Sequence, residues 1–310
     1  MQKYTLKRTG DFYKGNLHSH TTISDGRYSP EELIKLYKRY NYSFLAITDH
    51  RIYGIHEEFN TPDFLVFPGV ELDTSVGLKE GACHHIVGIS TPEETGFSHG
   101  QEFSEGKLDC SKMSAEEIID LLTSHNNLAI YAHPYWSKVD IADIVDLKGL
   151  VGMEIMNYGC EMEWKCGNSE VFFDQFWWND NKIWCFATDD GHDDPYCYCG
   201  GYIVVKTDDF SHRGIIDAIS EGSFYAAFSQ KGQEAPHIID FIVEDGVAKL
   251  SCSPSRNIYI YTPKGYRAYH AEDGKSLTYA EYKLPDEALY VKAICVDFAG
   301  NTSWCQPIAL

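Results

Sequence analysis

The sequence has no run of 18 apolar residues, and its start, Met1-Gln2-Lys3-Tyr4-Thr5-Leu6-Lys7-Arg8, has no apolar stretch. The first absence argues against a membrane-spanning helix, and the second against a signal peptide. Neither a repeat period nor a low-complexity tract is present, so a solenoid or a disordered tract is not expected. Positive charge is scarce: 26 Lys and Arg stand against 46 Asp and Glu, for a formal net charge of -20. Such a chain repels long polyanions, which disfavours a long nucleic acid and leaves small phosphorylated molecules open. The carboxylates are scattered rather than gathered in a tail, and most read as solvated surface. No cysteines have the paired spacing of a zinc ribbon. Cys197-Tyr198-Cys199 and Cys160/Cys166 fall short of it, so the ten cysteines read as mostly reduced thiols of a cytoplasmic protein with no membrane role.

What is present is enough apolar material for a large core: of 310 residues, 44% are hydrophobic and 14% aromatic. That length suits one large domain with a small one attached. Ser29-Pro30-Glu31-Glu32 and Ser114-Ala115-Glu116-Glu117 are capping boxes that predict helices. Apolar strands at Phe44–Ile47, Phe64–Phe67, Leu128–Ala132, Val151–Met156 and Lys182–Ala187 alternate with such helical stretches. Strands of this kind predict a parallel sheet with helical crossovers. Polar residues recur at the strand ends along the whole chain, which favours a barrel with one mouth over an open sheet with one switch point. Beyond Gln233 the texture changes to hairpins, including a turn at Asp245-Gly246. The expected division is therefore a barrel over residues 1–235 and a small β-sandwich over 236–310.

His18-Ser19-His20 is the centre of the chemistry. Residues i and i+2 of an extended chain share a face, so two imidazoles enter one space. Downstream, the same residue types follow apolar runs: Asp25 in Ser-Asp-Gly, Asp49-His50, Gly69-Val70-Glu71, His85-Ile86-Val87-Gly88, Ala132-His133-Pro134 and Asp190-Gly191-His192. In this order the motifs closely resemble the PHP (polymerase and histidinol phosphatase) superfamily of metal-dependent phosphoesterases, over roughly residues 12–230.

That resemblance implies a distorted seven-stranded β/α (TIM-like) barrel with two or three divalent ions at its mouth. It implies that His18, His20, Glu71 and Asp190 hold one ion, that Glu71, His85 and His133 hold a second, and that Asp25, His50 and His192 hold a third. Asp190, His192 and Glu71 are the residues expected to carry the reaction. A carboxylate at Asp25, where many members have histidine, resembles the small nucleotide-phosphatase branch. Imidazole with carboxylate suits zinc, manganese or iron rather than calcium. Between His85 and His133 there is room only for a loop and one helix, which predicts an open pocket. Arg51, next to His50, is the candidate for holding a substrate phosphate, with a surface ion pair as its alternative. Asp49 and Asp189 are either orienters of ligands or structural caps, His84 is a packing residue beside the ligand His85, and residues 91–113 could form a lid. The function implied is hydrolysis of a small phosphate ester by a metal-activated hydroxide. The alternatives are cleavage of a carboxyl or carbamate ester at the same site, or a non-enzymatic scaffold.

Overall fold

Both capping boxes close in the computed structural model, which describes residues 2–310. Ser29 Oγ accepts from the Glu32 amide and the Glu32 carboxylate accepts from the Ser29 amide, starting the helix Pro30–Arg39. Ser114 and Glu117 do the same for Ala115–Ser124. Fixing the first turn satisfies amides that would otherwise lack partners. It also sets the rotation of each helix, so that Leu33, Ile34 and Tyr37 on one, and Ile118, Ile119 and Leu122 on the other, face the core. The Tyr37 hydroxyl reaches Asp189 Oδ2 at 2.7 Å and accepts from Asn16 Nδ2 at 2.9 Å, which ties the first helix to the strand ends.

A five-stranded sheet runs Trp184–Thr188, Leu150–Asn157, Asn127–Tyr131, His84–Ser90, Gly69–Thr74. Its first three strands are parallel, as the sequence predicts. The strand His84–Ser90 is antiparallel to both neighbours. The wholly parallel sheet is thus corrected to a mixed one. Residues 75–83 contain no helix, and a parallel pair needs a longer crossover, so the chain doubles back as a hairpin. The reversal has a positional effect: this strand starts at the end of the sheet where Gly69–Thr74 and Asn127–Tyr131 finish. A histidine at its beginning therefore meets residues at the ends of the others.

The second sheet has ten strands. On the site side it contains Leu65–Phe67, Phe44–Ala46, Asp11–Asn16, Gly201–Thr207 and Phe224–Phe228. It then continues through Thr302–Cys305, Tyr290–Val296, Asn257–Thr262 and Gly265–His270, and the tenth strand, Ile308–Ala309, pairs beside Tyr290–Val296 off this path. The expected distorted seven-stranded barrel is present only as a mixed α/β arrangement of separate sheets that do not close into one continuous ladder. The two sheets meet at isolated bridges, Ser19 with Gly191 and His50 with Glu71. The ladder strands stop at Asn16 and Ala46, and the chain runs on as extended segments bearing inward His18, His20 and His50. Single hydrogen bonds across these seams, such as Asp190 N to His18 O at 2.9 Å and Arg51 N to Glu71 O at 2.8 Å, replace a continuous ladder.

The C-terminal hairpins form as expected. Asp245 and Gly246 have φ of 52° and 74°, the left-handed pair that a two-residue hairpin loop requires. Ile238–Glu244, Val247–Ser255 and Leu277–Lys283 form a four-stranded sheet with Lys3–Tyr4. Phe241, Leu250, Ile258, Ile260 and Val291 lie in the core between this sheet and the far part of the ten-stranded one. No helix among the described residues is long and apolar enough to cross a membrane.

Candidate metal centre

The loops that carry the candidate ligands are pinned by two buried aspartates. Asp49 accepts from the Thr21 amide at 2.7 Å, the Thr21 hydroxyl at 2.8 Å and the Ser24 hydroxyl at 2.8 Å. It thereby shapes the turn that presents Asp25. Gly26 completes that turn: a Cβ there would lie 2.3 Å from the His20 carbonyl, so only glycine permits the approach. Asp189 accepts from the amides of Cys199, Gly200 and Gly201 at 2.7–2.8 Å. Both are structural caps, which settles the alternative the sequence left open. His133 and Asp190 turn inward on backbone with φ of 28° and 51°, a left-handed conformation that is sparsely used and concentrates at functional sites.

All nine candidate ligands converge, and Glu71 is at their centre. Its Oε1 is 2.9 Å from His85 Nδ1 and 3.4 Å from His133 Nε2. Its Oε2 is 3.2 Å from His18 Nε2, 3.3 Å from His20 Nε2 and 3.0 Å from His50 Nδ1. Asp190 Oδ1 lies 3.2 Å from His18 Nε2 and 3.0 Å from His20 Nε2. At the rim, Asp25 stands 3.5–3.8 Å from His20, His50 and His192. Four clusters could each hold an ion: His18, His20, Glu71 and Asp190; His20, Asp25, His50 and His192; His50, Glu71 and His85; and His18, His133 and Glu154. The first matches the set the resemblance implies, and the second adds His20 to the expected three. In the third, His50 stands in place of His133, whose donor groups instead with His18 and Glu154.

Buried polar atoms are almost always hydrogen-bonded. Here Glu71 Oε2, Asp190 Oδ1, His20 Nδ1 and His50 Nδ1 are buried and make no hydrogen bond. Unpartnered carboxylate oxygens and imidazole nitrogens gathered in one place, with His20 Nδ1 on the Asp25 side and the others around Glu71, are what divalent transition-metal binding requires, so these residues fit such ions. Their charges agree. Burial alone would lower the histidines, but Asp190 and Glu71 outweigh it and hold His20 at about 9. Glu71, again against burial, raises His85 to about 10, and Asp190, Glu71 and Glu154 keep His18 well above the ordinary histidine range. Burial would raise Glu71 and Asp190, yet the surrounding imidazoles hold both far below normal carboxylates.

Glu154 was not singled out in the sequence. Fully buried on the strand Leu150–Asn157, it accepts from or pairs with His18 Nδ1 at 2.7 Å, the Thr188 hydroxyl at 2.7 Å, the His133 amide at 3.0 Å and Asn157 Nδ2 at 2.9 Å. It fixes which nitrogen of His18 faces the cluster. The one signal for it is a lone carboxylate inside the apolar run Val151–Met156. Glu154→Gln is expected to weaken metal binding about 10- to 100-fold, the usual cost of losing a partner that orients a ligand; metal-buffered titration measures it, and unchanged affinity would refute the orienting role.

The remaining expectations resolve by placement. His84 bonds the Tyr131 hydroxyl at 2.6 Å, away from the cluster, while His85 faces it. The Arg51 guanidinium grips Asp73, with Nε 2.7 Å from Oδ1, and does not line the cavity over the cluster. Residues 91–113 form no lid. Phe97, Phe103 and Cys110 are buried in the core, and Gln101–Glu102 pairs with Ile52–Tyr53.

No protein-family model matches the chain, and no curated protein does. Among solved structures it is similar to a two-domain protein containing a predicted PHP-like metal-dependent phosphoesterase from Bacteroides vulgatus. That match has a TM-score of 0.51 at 13% identity and covers 97% of this chain and 96% of the other. The chain thus shares that protein's fold over nearly its whole length. Weaker likenesses are to an amidohydrolase from Chromobacterium violaceum (TM-score 0.40, 16% identity, 57% of this chain and 87% of the other) and a candidate metal-dependent phosphoesterase from Bifidobacterium adolescentis (0.38, 14%, 58% and 89%).

Proposed function

We propose that this chain is a PHP-type metal-dependent phosphoesterase that hydrolyses a small phosphate ester, with two or three zinc, manganese or iron ions held by His18, His20, Asp25, His50, Glu71, His85, His133, Asp190 and His192. One observation carries the reading: Glu71 Oε2, Asp190 Oδ1 and His50 Nδ1 are buried and unpartnered where the imidazoles gather around Glu71, and His20, whose Nε2 is on that side, turns an unpartnered Nδ1 toward Asp25. When bound, such ions supply Lewis-acid charge to phosphoryl oxygens and a water acidic enough to react near neutral pH. The protein's own part is positional. Glu71 faces several imidazoles with two fixed negative oxygens, and Glu154 holds His18 in register. His192 is lowered first by burial and its Nδ1 lies 3.0 Å from the Asp190 carbonyl. A neutral ring donating there leaves Nε2 at the cavity able to accept a ligand or a proton. Residues 1–235 would carry this chemistry and 236–310 would support it as a sandwich.

A second reading, hydrolysis of a carboxyl or carbamate ester, is favoured by the absence of any lysine or arginine from the residues lining the cavity. The test is turnover, by the Mn²⁺-loaded protein, of matched aryl phosphate monoester, phosphodiester, carboxyl ester and carbamate, with Asp190→Asn as control. Phosphate turnover lost in the variant is the expected result. Turnover of the carbon esters alone would overturn the proposed substrate class, and inactivity on all four in a protein without bound metal would leave a scaffold.

A further inference from the structure

Beside the metal cluster, and sharing His85, Trp136 and Trp164 with the cavity above it, lies a second cavity of about 500 Å³. Its walls include Tyr135, Trp136 and Trp164, which are 53%, 38% and 68% exposed. Large aromatic rings are usually buried, and a cluster of them open to one cavity marks a binding surface. Their placement is built. Trp136 stands at right angles to two candidate ligands, its ring centroid 5.6 Å from His85 and 5.1 Å from His133. The loop that carries it is closed by Ser137, whose amide donates to the His133 carbonyl at 3.1 Å and whose hydroxyl meets His133 Nδ1 at 3.1 Å. Trp164 ends the helix Tyr158–Trp164, with Nε1 donating to Glu163 Oε2 at 3.1 Å, so its ring stands over the opening rather than in the core.

We propose that this cavity is a leaving-group subsite for a planar aromatic or heteroaromatic ring, joined to an ester whose reacting end lies over Glu71. This names the substrate class of the phosphoesterase reading and rests on it. The argument is continuity and shape. Trp136 is a wall of both cavities, so a group in one is within a short linkage of the other. Flat walls select flat partners, because face and edge contacts between π systems are lost by a puckered ring of equal size.

The test compares binding of benzylphosphonate and cyclohexylmethylphosphonate, similar in size and differing in planarity, to the Mn²⁺-loaded full-length chain by calorimetry. The expected preference for the planar ring is about 10-fold, the scale of one good aromatic stacking contact. It should fall to near unity in Trp164→Ala and return in Trp164→Phe. Equal affinities in the wild type, or a preference untouched by Trp164→Ala, would overturn the subsite. Turnover of the two corresponding phosphates separates this from the reading it rests on: an intact ring preference with neither phosphate hydrolysed overturns the phosphoesterase reading alone. Should neither phosphonate bind, that reading falls, and the subsite is judged on benzyl alcohol against cyclohexylmethanol, where equal binding refutes it.

Discussion

Replacing Glu71 by glutamine is expected to remove at least one ion per chain and to lower kcat/KM on the order of 1,000-fold. The amide keeps the shape of the side chain and loses its charge, and it is the charge that His18, His20, His50, His85 and His133 all face. Metal content by mass spectrometry and turnover of the best ester measure the two effects. Full metal occupancy with full activity would show that Glu71 does not bridge the cluster. Removing one partner from a buried ion cluster also destabilises the fold, by about 3–5 kcal/mol in comparable cases. Glu71→Asp, which retains the charge, therefore serves as the companion variant: it should recover stability more than activity, because its shorter reach misplaces both oxygens.

Metal affinity should climb steeply with pH. His20 at about 9 and His85 at about 10 are protonated at neutral pH in the metal-free protein, and an imidazole must shed its proton to bind a metal. Each displaced proton contributes a factor of ten per pH unit, so two give about 100-fold per unit between about pH 6 and 8. Competition against a chelator of known affinity reads the slope, and calorimetry in buffers of different ionisation enthalpy counts the protons. A flat profile would mean that the histidines are already neutral. Stability of the metal-free protein should bend the other way. Because these histidines are raised above their unfolded values, their contribution is complete below about pH 6.5 and disappears as pH rises through 9 to 10. Because Glu71 and Asp190 are depressed, their contribution is present above the ordinary carboxylate range and is lost as pH falls through their lowered values. Denaturant titrations with EDTA should show the alkaline loss, and bound metal should abolish it.

The parts legible in the sequence are those written in consecutive residues. The Ser29 and Ser114 boxes, the Asp245-Gly246 turn and the inward pair His18/His20 each depend on spacings of one to three positions, and each forms. His85 shows the limit. Its motif is local, but its histidine stands at the start of a strand, and only the antiparallel hairpin explains how it reaches the same mouth as residues at strand ends. The wholly parallel sheet failed there because buried strands look alike in either direction, and the missing helix in 75–83 was the available clue. Glu154, and the Asp73 partner of the ion pair that stood as the alternative for Arg51, are illegible for a different reason. Their meaning lies in partners far along the chain or 22 residues away, which no periodicity records.

The strand Asp11–Asn16 is held on one side by Phe44–Ala46 and on the other by Gly201–Thr207, and Asn16 meets the Asp189 amide across 173 residues. A nascent chain therefore exposes His18 and His20 long before their carboxylate partner Asp190 exists. The innermost cage of His18, His20, Glu71 and Asp190 is complete only when residue 190 joins the others, so non-local pairing must come first. Protons then act as placeholders. They neutralise the half of the cage that faces Glu71 and Asp190 while the sheets close, and they would leave if an ion bound. On the proposed function, the identity of the ion would be decided by the finished cage and the metals then at hand, rather than during synthesis.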